Sequence, residues 1–251
     1  MQFTNKVCIV TGATSGIGRA TVERLAQQGG KILLVDKDID QGQEFVRLLR
    51  TQGTDAQFAP VDLADAAAIE GAVQLALSTW GRVDVLVNDA ATMTFKPIVE
   101  LTVEEWDYLQ AVNLRAVFLF CKYCLPHMKE GAIVNVSSVH AHQTTANVIP
   151  YAASKGGLEA FTRGVATEYP MSQVRINCVA PGAVDTPMLW DNPNVKAGRE
   201  KVEGDIGQPM DIAAAICFLA SQEAREGGEA HRLVDREAGE ERAEAEDDDA
   251  G

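Results

Sequence analysis

Nowhere in the 251 residues is there a stretch of about twenty apolar residues, the length a bilayer demands, so no membrane-spanning helix is expected. Cysteine is scarce: five residues, scattered and odd in number, do not make the even framework of a disulfide-stapled domain. An excess of positive charge is lacking as well. The formal net charge of −14 argues against nucleic acid or an anionic membrane as partners. The first apolar run begins so close to Met1 that no signal peptide is expected, which with reduced thiols implies a cytoplasmic protein. No repeat and no internal linker divides the chain, whose length suits one sizeable α/β domain and is short for two. At 46% hydrophobic residues it has ample material for a core.

The acidic charge is unevenly placed. Residues 223–251 carry 12 acids and 4 arginines, a net of −8, leaving −6 for the rest. Before that tail, strand and helix patterns alternate, as parallel βαβ units do. Apolar runs at 6–11, 31–35, 55–61, 83–87, 131–136 and 173–179 read as strands buried on both faces. Helical spacing covers 16–28, 39–51, 65–79, 102–128, 150–168 and 209–220. The reading is a single-domain, doubly wound Rossmann fold over 1–222, followed by an aberrant acidic C-terminal segment at 223–251. Residues 240–251, with nothing apolar larger than Ala, are expected to be disordered. The Pro-, Gly- and Asn-rich segment Asp185 to Gly207 is expected to form a mobile lid.

Between the first strand and the first helix runs Thr11-Gly-Ala-Thr-Ser-Gly-Ile-Gly18. Glycines at such a turn let the backbone approach a pyrophosphate, which rests on the positive N-terminus of the helix. The second strand ends in Asp36, about where a dinucleotide fold places the acid that accepts from the adenosine ribose hydroxyls. Strand, glycine turn, helix, strand and acid in that order point to dinucleotide binding.

The three residues between Gly12 and Gly16 give a spacing that resembles the short-chain dehydrogenase/reductase family, and other segments over roughly residues 4–222 extend the resemblance. Asn88-Asp-Ala-Ala91 is similar to the family's Asn-Asn-Ala-Gly, and Asn113 stands in a helix as the family's catalytic Asn does. Ser137-Ser138 followed by Tyr151-Ala-Ala-Ser-Lys155 matches the catalytic Ser and the Tyr-x-x-x-Lys signature. Pro181-Gly182 with Thr186 matches the segment that touches the nicotinamide.

The resemblance implies hydride exchange between NAD(H) and a secondary alcohol or ketone, possibly a sugar or polyol, with Asn113, Ser138, Tyr151 and Lys155 as the catalytic set. A lysine four residues after a tyrosine lies on the same helix face, and its charge favours the phenolate. By resemblance Tyr151 is the acid/base, Lys155 also holds the nicotinamide ribose, Ser138 binds the substrate oxygen, and Asn113 supports a water relay to Lys155. Cofactor contacts are expected from Gly12, Ser15, Gly16, Ile17, Gly18, Asp36, Asp62, Leu63, Asn88, Ala90, Tyr151, Lys155, Pro181, Gly182, Val184 and Thr186. Ser138, His140 and Met188 are the substrate candidates. Asp36, with Ser15 where NADP-preferring relatives carry a base, favours NAD, though Lys37 softens the repulsion of a 2′-phosphate.

Three features stand apart. Asp89 and Ala91 replace the family's second Asn and its Gly, changes expected to weaken cofactor binding. Cys121-Lys-Tyr-Cys124 with His127 has metal-like spacing but no second cluster; these residues are read as one packed helix face, and no metal is expected. Leu233-Val-Asp235 is all that echoes the family's final strand, through either a natural tail or a frame change near Ala224. Two rival functions remain: a 3-oxoacyl thioester reductase using NADPH, and a non-catalytic dinucleotide-binding protein. By resemblance the chain is a homo-oligomer, a tetramer or, with an altered end, a dimer.

Overall fold

The computed structural model describes residues 1–198, 202 and 205–226. Among these the strands are β1 (Val7–Thr11), β2 (Lys31–Asp36), β3 (Ala56–Pro60), β4 (Val85–Asn88), β5 (Gly131–Val136) and β6 (Val174–Val179). They form one parallel sheet in the order β3-β2-β1-β4-β5-β6, with the reversal of direction between β1 and β4. The helices are α1 (Gly16–Gln27), α2 (Ile39–Thr51), α3 (Ala66–Trp80), α4 (Val103–Gln110), α5 (Ala116–Cys124), α6 (Ile149–Glu168), the short α7 (Pro187–Trp190) and α8 (Pro193–Lys196), α9 (Pro209–Ala220) and α10 (Glu223–Glu226).

The strands alternate their side chains between two apolar layers, which is why they read as continuous hydrophobic runs. Val7, Ile9, Leu33 and Val35 pack with Ile69 and Val73 of α3, Phe120 of α5 and Leu158 of α6. Cys8, Val10, Ile32 and Leu34 face the other way, onto Val22 and Leu25 of α1, Phe45 and Leu49 of α2, and Ile216 of α9. Burying a Leu or Ile side chain fully contributes about 1.5–3 kcal/mol, so these two layers hold the sheet in place. The edge strands are the exceptions to burial on both faces: β3 has Gln57 and Phe58 half-buried and Pro60 exposed, and β6 has Asn177 and Cys178 half-buried.

Helix starts follow their capping residues. The Asp38, Asp65 and Thr102 side chains accept from backbone N–H groups in the first turns of α2, α3 and α4. The single helix expected over 102–128 is instead α4, a π-helical turn at Ala111–Arg115, α5, and a 3₁₀ turn at Leu125–His127. The π turn has no Pro or Gly to announce it; the hydrogen bonds simply lengthen by one residue. The 3₁₀ turn separates His127, which is exposed, from Cys121 and Cys124, which are buried. The three therefore do not share one face. All five cysteines are free thiols, with Cys178 half-buried and the other four buried.

At the amino ends of the strands, Asp84 accepts from the Val7 N–H at 2.9 Å, from Lys6 Nζ at 3.2 Å and from Arg82 Nε at 2.8 Å. On the far side of the sheet, buried Arg175 of β6 donates to the Leu219 and Ser221 carbonyls at the end of α9. The segment expected to be a lid holds α7 and α8. It is pinned at its base, where Gly207 N–H donates to Ala183 O at 3.0 Å and Asp185 N–H to Gly207 O at 2.9 Å. Residues 199–201 and 203–204 of that segment lie outside the described residues, as do Leu233–Asp235 and the stretch 240–251 expected to be disordered. No helix among the described residues is long and apolar enough to cross a membrane.

Candidate active site

The loops that follow the strands meet at the carboxyl edge of the sheet, on either side of the β1/β4 reversal, around a cavity of ≈ 700 Å³. Its floor is the glycine turn after β1. Gly12 and Gly16 have φ of +66° and +51°, conformations that favour glycine. A Cβ on Gly12 would come within 2.9 Å of Ala90 Cα, so the turn packs directly on the backbone that follows β4. Unlike the Asp and Thr caps of α2, α3 and α4, Ser15 makes no side-chain capping bond to α1, and no acidic residue belongs to the helix's first turn. Gly16 and Ile17, whose N–H groups have no partner within the helix, line the cavity, and such a set fits a diphosphate. Asp36, at the end of β2, lines the same cavity. Its Oδ2 accepts from the Thr14 N–H at 3.1 Å and from Thr14 Oγ1 at 2.8 Å. Asp62 and Leu63 close that side.

Opposite lie Ser138, after β5, and Tyr151 and Lys155, one turn apart on α6. Lys155 is 2% exposed. Its Nζ donates to Val136 O at 2.6 Å and stands 5.4 Å from the centre of the Tyr151 ring. Burial brings the Lys155 ammonium down to about 8, with Asp89 opposing that shift. Burial pushes the Tyr151 phenol up to about 12, against a hydrogen bond with Ser138 that favours its ionisation. The His140 ring meets Tyr151 edge-on at 5.7 Å, and its Nδ1 lies 3.1 Å from Thr144 Oγ1.

Of the residues expected at the site, Gly12, Ser15, Gly16, Ile17, Asp36, Asp62, Leu63, Ala90, Ser138, His140, Tyr151, Lys155, Pro181, Gly182, Val184, Thr186 and Met188 line this one cavity. Three do not. Gly18 is buried beneath the turn against Gly12 and Asp89. Asn88 lies within the sheet, where its amide donates to Asn135 Oδ1 at 2.8 Å. Asn113 sits in the π turn, 1% exposed, and grips the chain after β4: it accepts from Thr92 N–H at 2.8 Å and donates to Thr92 O at 2.9 Å. Its Nδ2 also reaches Ser154 Oγ of α6 at 3.1 Å. The cavity wall further includes Thr92, Met93, Tyr108 and Gln143, which no motif singled out, and Leu189 and Asn192 from the segment expected to be a lid. Thr92 and Met93 directly follow the Asn88–Ala91 segment, the one signal that pointed toward them.

Among the described residues there is no group of three or more His, Cys, Asp or Glu side chains arranged to hold a metal ion. Residues 6–196 match the family model for short chain dehydrogenases. A cyclopentanol dehydrogenase of Comamonas is 34% identical, over 89% of this chain and 92% of that protein. A 3-oxoacyl-[acyl-carrier-protein] reductase of Thermotoga maritima is 35% identical, over 89% of this chain and 94% of its own length. Among solved structures, a short chain dehydrogenase from Burkholderia cenocepacia in complex with NADP superposes with a TM-score of 0.83, at 30% identity over 90% of this chain and 94% of that one.

Proposed function

This chain belongs to the short-chain dehydrogenase family and is an oxidoreductase of that kind; within it, we propose that the protein interconverts a secondary alcohol and its ketone with NAD(H). The observation that carries the reading is the meeting of Ser138, Tyr151 and Lys155 with the Gly12–Gly16 turn in one cavity. Bound nicotinamide would give or accept the hydride and, when oxidised, lend a positive charge beside the phenol. The protein's own part is proton handling. Ser138 holds the reacting oxygen and hydrogen-bonds Tyr151, while the Lys155 ammonium, fixed by Val136 O, favours the phenolate that takes the hydroxyl proton. In the reverse direction the phenol gives that proton back. Asn113 acts as a positioning residue, since its amide holds the Thr92 wall against α6.

Preference for NAD is supported by Asp36, whose carboxylate Thr14 fixes in the cavity wall where a 2′-phosphate would meet like charge. The Burkholderia structure holds NADP, so this preference is this chain's own feature to test. On the substrate side, Met93, Tyr108, Met188 and Leu189 surround a few polar groups from His140, Gln143 and Asn192. That mixture suits a compact, mostly apolar alcohol better than a sugar or polyol, and the Comamonas relative is named for a cyclic alcohol. The Thermotoga relative favours a second reading, reduction of a 3-oxoacyl thioester with NADPH; Asp36 and the acidic net charge speak against it. The exposed apolar residues Trp106, Tyr108 and Phe118 along α4 and α5 support a homo-oligomer built on that face, and the free thiols support a cytoplasmic location.

The test pairs wild type with Tyr151→Phe. Titration of each with NADH and NADPH, followed by cofactor fluorescence, is expected to show the same NADH-selective binding in both. Oxidation of cyclopentanol-like alcohols is expected to fall by at least about a thousandfold in the variant, as removal of a central proton-transfer group does. Equal loss of binding and turnover overturns the role of Tyr151, and NADPH selectivity overturns the role of Asp36.

A further inference from the structure

Asp89 brings a carboxylate to the N-terminal turn of α1, which has no side-chain cap of its own. Counting from the N-cap Ser15, Gly18 is the third helical residue, and its N–H is one of the donors a helix leaves without an internal partner. Ser15 does not reach back to serve it. The Asp89 carboxylate, just past the end of β4, stands beside Gly18 instead, its Oδ2 2.8 Å from where a Gly18 Cβ would be, and the Gly18 N–H favours its charge. Asp89 is held in this position at its own backbone, where its N–H donates to Thr11 Oγ1 at 3.1 Å. The same carboxyl lines the cavity.

The charged groups around it do not cancel. Asp36, from the end of β2, opposes its ionisation; Lys155, from α6, favours it; Tyr151 on the same helix is neutral, its own ionisation opposed by Asp89. No acidic residue comes from the first turn of α1, and β1 offers only the Thr11 hydroxyl. Burial dominates, and the Asp89 carboxyl is pushed up to about 7. A diphosphate brought to the α1 N-terminus adds further negative charge beside a carboxylate already bound there, in a cavity of low dielectric.

Building on the dinucleotide reading of the cavity, we propose that Asp89 sets cofactor affinity by coupling it to a proton: NAD(H) settles on the α1 N-terminus when the Asp89 carboxyl is neutral, so binding takes up a proton from solution. The neutral carboxyl keeps a carbonyl oxygen as an acceptor beside the Gly18 N–H, while the repulsion vanishes. A raised carboxyl loses its proton as pH climbs through its folded-state value. Affinity for NADH is therefore highest on the acid side and weakens above neutrality, by at most about tenfold per pH unit. An asparagine at 89 keeps the acceptor and never ionises.

The experiment is NADH binding by calorimetry between pH 6 and pH 8.5, in pairs of buffers of different ionisation enthalpy, with wild type and Asp89→Asn. Wild type is expected to take up a substantial fraction of one proton per NADH near pH 7.5 and to lose affinity as pH rises. Asp89→Asn is expected to bind more tightly at pH 8 and to lose most of the proton uptake and of that slope, keeping only the share that Lys155, itself near 8, contributes. Binding by wild type with no proton uptake overturns the proposal, whether or not the variant folds; so does an unchanged slope in Asp89→Asn. A wild type that binds NADH at no pH overturns the dinucleotide reading itself, and the proposal with it.

Discussion

Around the site, the most crowded residue is Gly18. A Cβ there would lie 2.2 Å from the Gly12 carbonyl oxygen and 2.8 Å from Asp89 Oδ2, so one of two backbones must move. Gly18→Ala is expected to cost about 1–3 kcal/mol, a fall in melting temperature of about 3–10 °C, and to weaken NADH binding by more than tenfold. Gly71, inside α3 with nothing within 4 Å of its virtual Cβ, is the control: Gly71→Ala should leave binding alone and raise stability slightly. Thermal melts and fluorescence titrations of both variants decide. At this scale the sequence was legible where residues act at fixed spacings, as in the glycine turn or the four-residue step from Tyr151 to Lys155. Thr92, Met93, Tyr108 and Gln143 come to the cavity from separate loops and a helix, with no spacing to announce them. Asn113 was readable as a polar residue in a helix, but its grip on Thr92 depends on a contact across 21 residues.

The π turn at 111–115 shows what an element can do that its pattern hides. Ala-Val-Asn-Leu-Arg is compatible with an unbroken α-helix, and the hydrophobic period alone cannot register one lengthened hydrogen bond. In that turn the Asn113 amide reaches both the N–H and the O of Thr92. Asn113→Ala takes the partner from those half-buried groups, at up to about 1–3 kcal/mol each. Because Thr92 belongs to the wall and the glycine turn is untouched, turnover is expected to drop at least about tenfold while the NADH dissociation constant changes less than about threefold. Steady-state kinetics beside direct binding measures the split. Strands, by contrast, were legible to within two or so residues, because burial on both faces forces continuous apolar runs. The edge strands β3 and β6, each with half-buried residues, escape that rule.

On the scale of the whole molecule, the two ends of the sheet divide the labour. The carboxyl edge holds the cavity, and the amino edge holds Asp84 with Lys6, Arg82 and the Val7 N–H. Asp84 is 2% exposed, so Asp84→Ala leaves the buried Val7 N–H without its acceptor, while Lys6 and Arg82 keep access to water. The expected loss is about 1–3 kcal/mol with NADH affinity unchanged, seen as a lower melting temperature of the free and NADH-bound protein alike. The doubly wound order was legible from alternating elements and the placement of Asp36, whereas the pairing between Val184 and Gly207 is too short to leave a pattern. The thiols distribute over this whole frame: Cys8 on β1, Cys121 and Cys124 on α5 and Cys217 on α9 are sealed, and Cys178 on β6 is half-open. A colorimetric thiol reagent thus meets one sulfur in the intact molecule and four more only as the frame comes apart, so the protein carries its own unlabelled stopwatch for unfolding.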